Sequence, residues 1–234
     1  MDVDQIGRIL RPLATPEQKA RAEAYFKGAV PFLGVKSPDV LAVFRELQRE
    51  LDGLDGEVRL SLSLSLLDQE WAELRHFGVL TLHRSRKKLP ADWLLRVEPI
   101  LVRRATNWGT ADAFAMKVLR YRMPIVADKA RVLTWANAES PWLRRMACVA
   151  FEAEARKGQY ADEIRVVVQG ALGLDHRFSQ LGAGWLLRER WRAAPEEVEA
   201  FLLEHGARMS REAVRYAVER IPSERRQSLL AATR

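Results

Sequence analysis

What this 234-residue chain has little of narrows its reading before any motif is found. It carries one cysteine, Cys148, inside the apolar run MACVAF, so no disulfide forms within the chain and the thiol reads as a small core residue. No apolar run approaches the roughly 20 residues a spanning helix needs, which predicts a soluble protein without a membrane partner. The opening MDVDQ is acidic and no apolar segment follows it, so no secretory leader is expected and a cytoplasmic location is. Four histidines, His76, His83, His176 and His205, are scattered without HExxH or a comparable spacing, and no metal is expected. GxxxxGK[ST], a GxGxxG after a strand and GxSxG are all missing, which leaves nucleotide-cofactor and hydrolase-elbow chemistry without support; no cofactor is expected. Strand patterning is scarce as well. Only SLSLSLL, Ser61 to Leu67, alternates with period two, and it has neither β-branched residues nor a partner strand, so a helix is expected there.

Helix signals are what the chain does have. Thr15-Pro16-Glu17, Ser37-Pro38-Asp39 and Ser140-Pro141-Trp142 place a capping hydroxyl before a proline at the first helical position, where a missing N–H costs nothing. Pro195-Glu196-Glu197 and Ser210-Arg211-Glu212 are weaker starts, and Gly28, Gly158, Gly173 and Gly206 follow periodic stretches as stops. Between them apolar residues recur at three and four, as in Val214, Ala217, Val218 and Ile221. The expectation is an all-α chain of about a dozen helices, paired at spacings of roughly 35–45 residues into a helical solenoid, with an irregular all-α globule as the alternative. Residues 1–234 are expected to form a single domain.

Charge points to a polyanion. Lys and Arg number 38 against 31 Asp and Glu, a net +7, and most of the excess is arginine, whose planar fork suits phosphate. The run RSRKK, Arg84 to Lys88, reads as a solvated loop between helices, with contact to a phosphate backbone as the alternative.

Seven tryptophans are many for this length, and several stand among charges. In NWGTAD, Trp108 and Asp112 lie one helical turn apart on one face; Trp142 is followed by Arg144 and Arg145; Trp185 stands in GAGWLLRERW. A helix tryptophan usually packs into a core, but Gly109 beside Trp108, and Ala183 and Gly184 beside Trp185, let a backbone or a ligand approach the rings closely.

Four blocks in order, YFKGAVPFLGVKSPDV (Tyr25 to Val40), NWGTADAF (Asn107 to Phe114), SPWLRRMACVAF (Ser140 to Phe151) and GWLLRERWRAAPEEVEAFL (Gly184 to Leu202), resemble the signatures of AlkD-type DNA alkylation repair glycosylases over nearly the whole chain. The resemblance implies a stack of HEAT-like repeats, curved with a basic concave face around double-stranded DNA. It implies a metal-free, cofactor-free and monomeric enzyme of the cytoplasm, associated with the nucleoid. Its catalytic residues fall on Trp108, Asp112, Arg145 and Trp185, the tryptophans and the aspartate lining a cleft against the deoxyribose of a damaged nucleotide and the arginine supporting the same site. Tyr25, Lys27, Lys36, Arg144, Arg177 and Arg188 are the expected DNA contacts. The substrates implied are cationic N-alkylated purines, 7-methylguanine and 3-methyladenine, which leave without a general acid, so the carboxylate need only stabilise the oxocarbenium-like sugar and position water. No base-reading pocket is implied, and the sequence shows none. The chain departs from the family pattern at Asn107, where a second tryptophan is frequent, at Gly109 in place of an acidic residue, at Arg177 in place of an aromatic, and at Leu181 in place of a lysine. The alternative the superfamily implies is a non-catalytic HEAT-like binder of damaged or branched DNA.

Overall fold

The structure is a computed structural model describing residues 1–233. Among these residues it contains 16 α-helices and four short 3-10 turns, with no strand, an all-α helical-repeat architecture as expected. None of its helices is long and apolar enough to cross a membrane. The chain divides into two compact units, Met1–Val118 and a second from Leu119 onward.

The first unit holds α1 (Val3–Leu10), α2 (Pro16–Tyr25), α3 (Ser37–Glu46), α4 (Gln48–Gly53), α5 (Gly56–Leu67), α6 (Ala72–Ser85), α7 (Trp93–Arg104) and α8 (Trp108–Lys117). Helix α6 packs against α3, α5 and α8, and α5 also meets α7. The alternating SLSLSLL segment is helical because α5 is covered on more than one side. Leu60, Leu62, Leu66 and Leu67 are all buried, and the buried Ser63 hydroxyl donates to the Arg59 carbonyl oxygen one turn back. The core around Ile6, Leu10, Val40, Phe44, Leu66 and Phe77 joins α1, α3, α5 and α6.

Helix α2 differs from its neighbours in having no buried residue at all. It is tethered at its ends instead: the Thr15 N–H donates to the Gly34 carbonyl at 2.9 Å, and the Glu23 carboxylate accepts from the Phe32 N–H at 3.4 Å. The extended stretch that follows, FLGVK, is held by one buried carboxylate of α6. Glu73 accepts from the N–H groups of Leu33, Gly34 and Val35 at 2.9, 2.9 and 3.1 Å. Gly34 sits at φ +102 with no room for a side chain, since a Cβ there would lie 2.5 Å from the Thr15 carbonyl oxygen.

The second unit holds α9 (Val126–Thr134), α10 (Pro141–Ala150), α11 (Glu152–Ala155), α12 (Ala161–Leu172), α13 (Arg177–Arg190), α14 (Pro195–His205), α15 (Arg211–Ala217) and α16 (Ser223–Ala232). Helix α13 lies between α10 and α15 and is backed by α12. Cys148 is fully buried in α10, and its Sγ donates to the Val167 carbonyl oxygen at 3.4 Å. Burial pushes its thiol up to about 12, which leaves it inert.

Most end signals act as expected. Thr15, Ser140 and Ser210 accept from the N–H groups of Gln18, Leu143 and Ala213, and the four stop glycines all follow helix ends. Ser37 is the correction: it is itself the first residue of α3, with Lys36 before it and no side-chain cap bond. The chain stays extended through Lys36, at φ −68 and ψ 143, and the helix begins at Ser37, with Pro38 still in the first turn.

Candidate functional site

Helix α8 carries the first two candidates. Its start is fixed by Asn107, 4% exposed, whose Oδ1 accepts from the Thr110 N–H at 3.0 Å. A tryptophan at that position would offer no such cap, which is a physical reason for asparagine there. Trp108, the first helical residue, enters an aromatic cluster: its ring lies 5.0 Å from that of Phe26 and 5.7 Å from that of Tyr25, and Phe26 stacks on Phe32 at 5.4 Å. Gly109 makes this cluster fit. A Cβ at 109 would fall 2.8 Å from Phe26 Cζ, so the acidic side chain usual at this position in the resembling family has no space. One turn along α8, Asp112 is 8% exposed, a carboxylate largely withdrawn from solvent. The sequence thus places Trp108 and Asp112 together on one helix, with the indole clamped by Tyr25 and Phe26 of the distinctive YFKGAVPFLGVK segment.

The same segment presents cations. Tyr25 is 67% exposed, and Lys27 and Lys36 are exposed without an ion pair or side-chain hydrogen bond among the described residues. Lys27 has φ 52, a left-handed conformation that non-glycine residues rarely adopt, and with Gly28 at φ 70 it turns the chain sharply out of α2.

In the second unit, Arg145 and Trp185 meet across α10 and α13. The Arg145 guanidinium lies 5.9 Å from the Trp185 ring centroid, and its Nη1 donates to the Phe178 carbonyl oxygen at 3.0 Å. Arg145 is 6% exposed, and the Trp185 indole Nε1 is buried without a hydrogen-bond partner among the described residues. The small residues beside Trp185 admit protein backbone: a Cβ on Gly184 would lie 2.6 Å from the Ala213 carbonyl oxygen of α15.

The remaining arginine candidates are engaged within the unit. Arg144 donates to the carbonyl oxygens of Ala138 and Gly170. Arg188 is held by Glu219 at 2.7 Å and Glu189 at 3.0 Å, with its guanidinium 4.5 Å from the Tyr216 ring centroid. Arg177 forms a two-pronged pair with Glu212, at 2.6 and 2.5 Å, and lies one helical turn from Leu181 on α13. Both partners of that pair are about half exposed, where an ion pair contributes roughly 0–1 kcal/mol and a phosphate can compete for the guanidinium.

Sequence reasoning missed a cavity of about 830 Å³ in the first unit, walled by α2, α3, α6 and α8. Phe26, Phe32, Arg21 and His76 line it, and so do Gly109, Thr110 and Ala113 of the helix that bears Asp112. Burial pushes His76 down to about 4, with Lys117 adding to the shift, so its imidazole is neutral near pH 7. Phe26 and Phe32 belong to the Tyr25–Val40 block, but nothing in the spacing of Arg21 and His76 marks them as neighbours. No group of three His, Cys, Asp or Glu is placed to hold a metal among the described residues.

The fold and site together define an all-helical repeat protein that presents aromatic rings beside a carboxylate and unpaired cations. A sequence model described as DNA alkylation repair enzyme matches residues 6–221, and the chain belongs to that family. It is also similar to a solved structure described as a predicted DNA alkylation repair enzyme from Enterococcus faecalis, at 18% identity, covering 90% of this chain and 97% of that one with a TM-score of 0.80. That likeness fixes the fold. No curated protein matches the sequence. The family places the chain in the repair of alkylated DNA, with DNA as its partner.

Proposed function

We propose that the protein is a monomeric AlkD-type glycosylase with HEAT-like repeats, hydrolysing the N-glycosidic bond of 7-methylguanine and 3-methyladenine in double-stranded DNA. The observation that carries this reading is Asp112, withdrawn from solvent one turn along α8 from a tryptophan clamped by Tyr25 and Phe26. A purine alkylated on a ring nitrogen is already cationic and leaves as a neutral base, so the barrier lies at the sugar. As the bond stretches, positive charge develops on the ring, and a carboxylate about 4 Å away at an effective dielectric near 20 contributes roughly 4 kcal/mol, about a thousandfold in rate. The Trp108 face adds cation–π stabilisation and excludes water, and the carboxylate orients the attacking water. Trp185, whose ring centroid lies 5.9 Å from the Arg145 guanidinium, has the same chemistry to offer a sugar cation on its free face. Tyr25, Lys27 and Lys36 contact the DNA strand in this reading.

The test is release of 7-methylguanine from methylated duplex DNA. Wild-type protein should release it, and Asp112→Asn, nearly isosteric, should keep the fold and DNA affinity while losing two to three orders of magnitude in rate, the scale of one electrostatic stabiliser. Tight binding of the duplex without release by wild type would instead identify a non-catalytic DNA binder.

A further inference from the structure

We infer that the cavity walled by α2, α3, α6 and α8 takes one unpaired nucleotide, its neutral base against the rings of Tyr25, Phe26 and Phe32 and its phosphate against Arg21 and Lys36. This rests on the reading that the protein works on DNA, and adds to it a binding site separate from the sugar chemistry at Asp112. Four observations carry it. The volume, about 830 Å³, lies in the roughly 300–1,000 Å³ range of pockets that enclose small ligands, and exceeds what a single side chain or a few waters fill. The aromatic wall suits a flat ring, since every base has a π-face to stack. The charge is one-sided. Arg21 and Lys36 are exposed lining residues without an ion pair or side-chain hydrogen bond among the described residues, whereas the lining carboxylate, Glu73, is occupied by three backbone N–H groups. A cationic alkylated base meets repulsion there, and a neutral base that carries its phosphate meets attraction. Finally, α2 stands as a cavity wall without burying any residue of its own, so that wall is held open for an occupant rather than packed shut.

Within the cavity, His76 supplies polar reading of a base edge. It is neutral, with one ring nitrogen donating and the other accepting, and has no hydrogen-bond partner among the described residues. The lining also includes Gly109, Thr110 and Ala113, so a nucleotide seated here touches the helix that holds Asp112. In a duplex, a base becomes available to such a site only when its pair is broken, and the neutral partner of a displaced lesion satisfies the charge of the cavity better than the lesion itself.

The experiment is a titration of the full-length protein with dAMP, followed through the methyl NMR signals of Ala22, Val35, Val79 and Ala113. Saturable shifts at these methyls are expected, with affinity about tenfold weaker for deoxyadenosine and for the Arg21→Gln, Lys36→Gln double variant. Ala22→Trp, which fills the cavity, should abolish the shifts. Absence of saturable shifts in the wild type overturns the inference. So do shifts confined to methyls elsewhere, equal affinity for dAMP and deoxyadenosine, or tighter binding of 7-methyl-dGMP than of dAMP. Base release plays no part in the readout. Release without a dAMP response sinks this inference alone, and a dAMP response without release sinks the glycosylase reading alone.

Discussion

Gly109 shows how much one missing side chain decides. Between Trp108 and Thr110 it leaves the space that Phe26 occupies, and Phe26 in turn bridges Trp108 and Phe32. Alanine is the better helix former by roughly 1 kcal/mol, yet overpacking a tight contact costs about 1–3 kcal/mol, so packing wins. Gly109→Ala is expected to lower thermal stability and to shift Trp108 fluorescence as Phe26 is pushed off the ring. An unchanged melting temperature and spectrum would mean that the cluster has slack. His76 gives a second prediction at this scale. Its pKa falls from 6.5 to about 4 in the folded chain, so above pH 6.5 the imidazole is neutral folded or unfolded and stability is unaffected. Between 6.5 and about 4 the unfolded chain binds a proton that the folded chain refuses, and stability drops with pH by up to about 3 kcal/mol. Burial lowers His83 and His176 in the same direction, so the diagnostic is the difference between wild type and His76→Asn. In urea titrations near pH 7 and pH 4.5 the variant should lose less stability on acidification than the wild type; equal losses would refute the assignment.

At the scale of elements, α13 is held by a carboxylate that no sequence pattern announced. Glu189 is fully buried, and Arg156, Arg188 and Arg220 reach it at 2.9, 3.0 and 2.8 Å. Removing the charge from such a group leaves arginine uncompensated, at about 3–5 kcal/mol, whereas an exposed pair contributes under about 1 kcal/mol. Glu189→Gln should therefore destabilise the protein several-fold more than Glu219→Gln, whose carboxylate is exposed, as read from urea midpoints. The helices themselves were legible, because capping and periodicity are local. Thr15, Ser140 and Ser210 cap as their neighbours dictate, and SLSLSLL is a helix buried on more than one side, with the Ser63 hydroxyl bonded one turn back. The pairing of Trp108 with Asp112 was legible for the same reason, both residues lying on one helix. What was not legible depends on residues far apart in the chain. Arg188 reads as a free cation in its own stretch of sequence, yet it pairs with Glu219, 31 residues on, and the cavity draws its walls from four helices.

For the whole molecule, the net charge of +7 says less about DNA than the distribution of pairing does. Arg188 is clamped by two carboxylates, Arg144 is spent on backbone carbonyls and Arg145 is buried, so none of the three presents a free charge to a phosphate. Lys27 and Lys36 are exposed without an ion pair among the described residues, and each is free to displace one condensed counterion from the DNA. Affinity for duplex DNA should fall linearly with log salt, and Lys27→Gln and Lys36→Gln should each flatten that slope by about 0.9 while weakening all sequences alike. Arg188→Gln should leave the slope unchanged and lower stability instead, through the loss of a partner for buried Glu189. Arg177 falls between these cases, since its pair with Glu212 is exposed. A phosphate that takes the guanidinium releases Glu212, a charge exchange that offsets much of the gain, so Arg177→Gln should change the slope by well under one ion. Salt titrations of the four variants on one duplex decide the matter. A slope change for Arg188→Gln as large as those of the two lysines would show that its carboxylate clamp opens on DNA, and would move the electrostatic footprint onto α13.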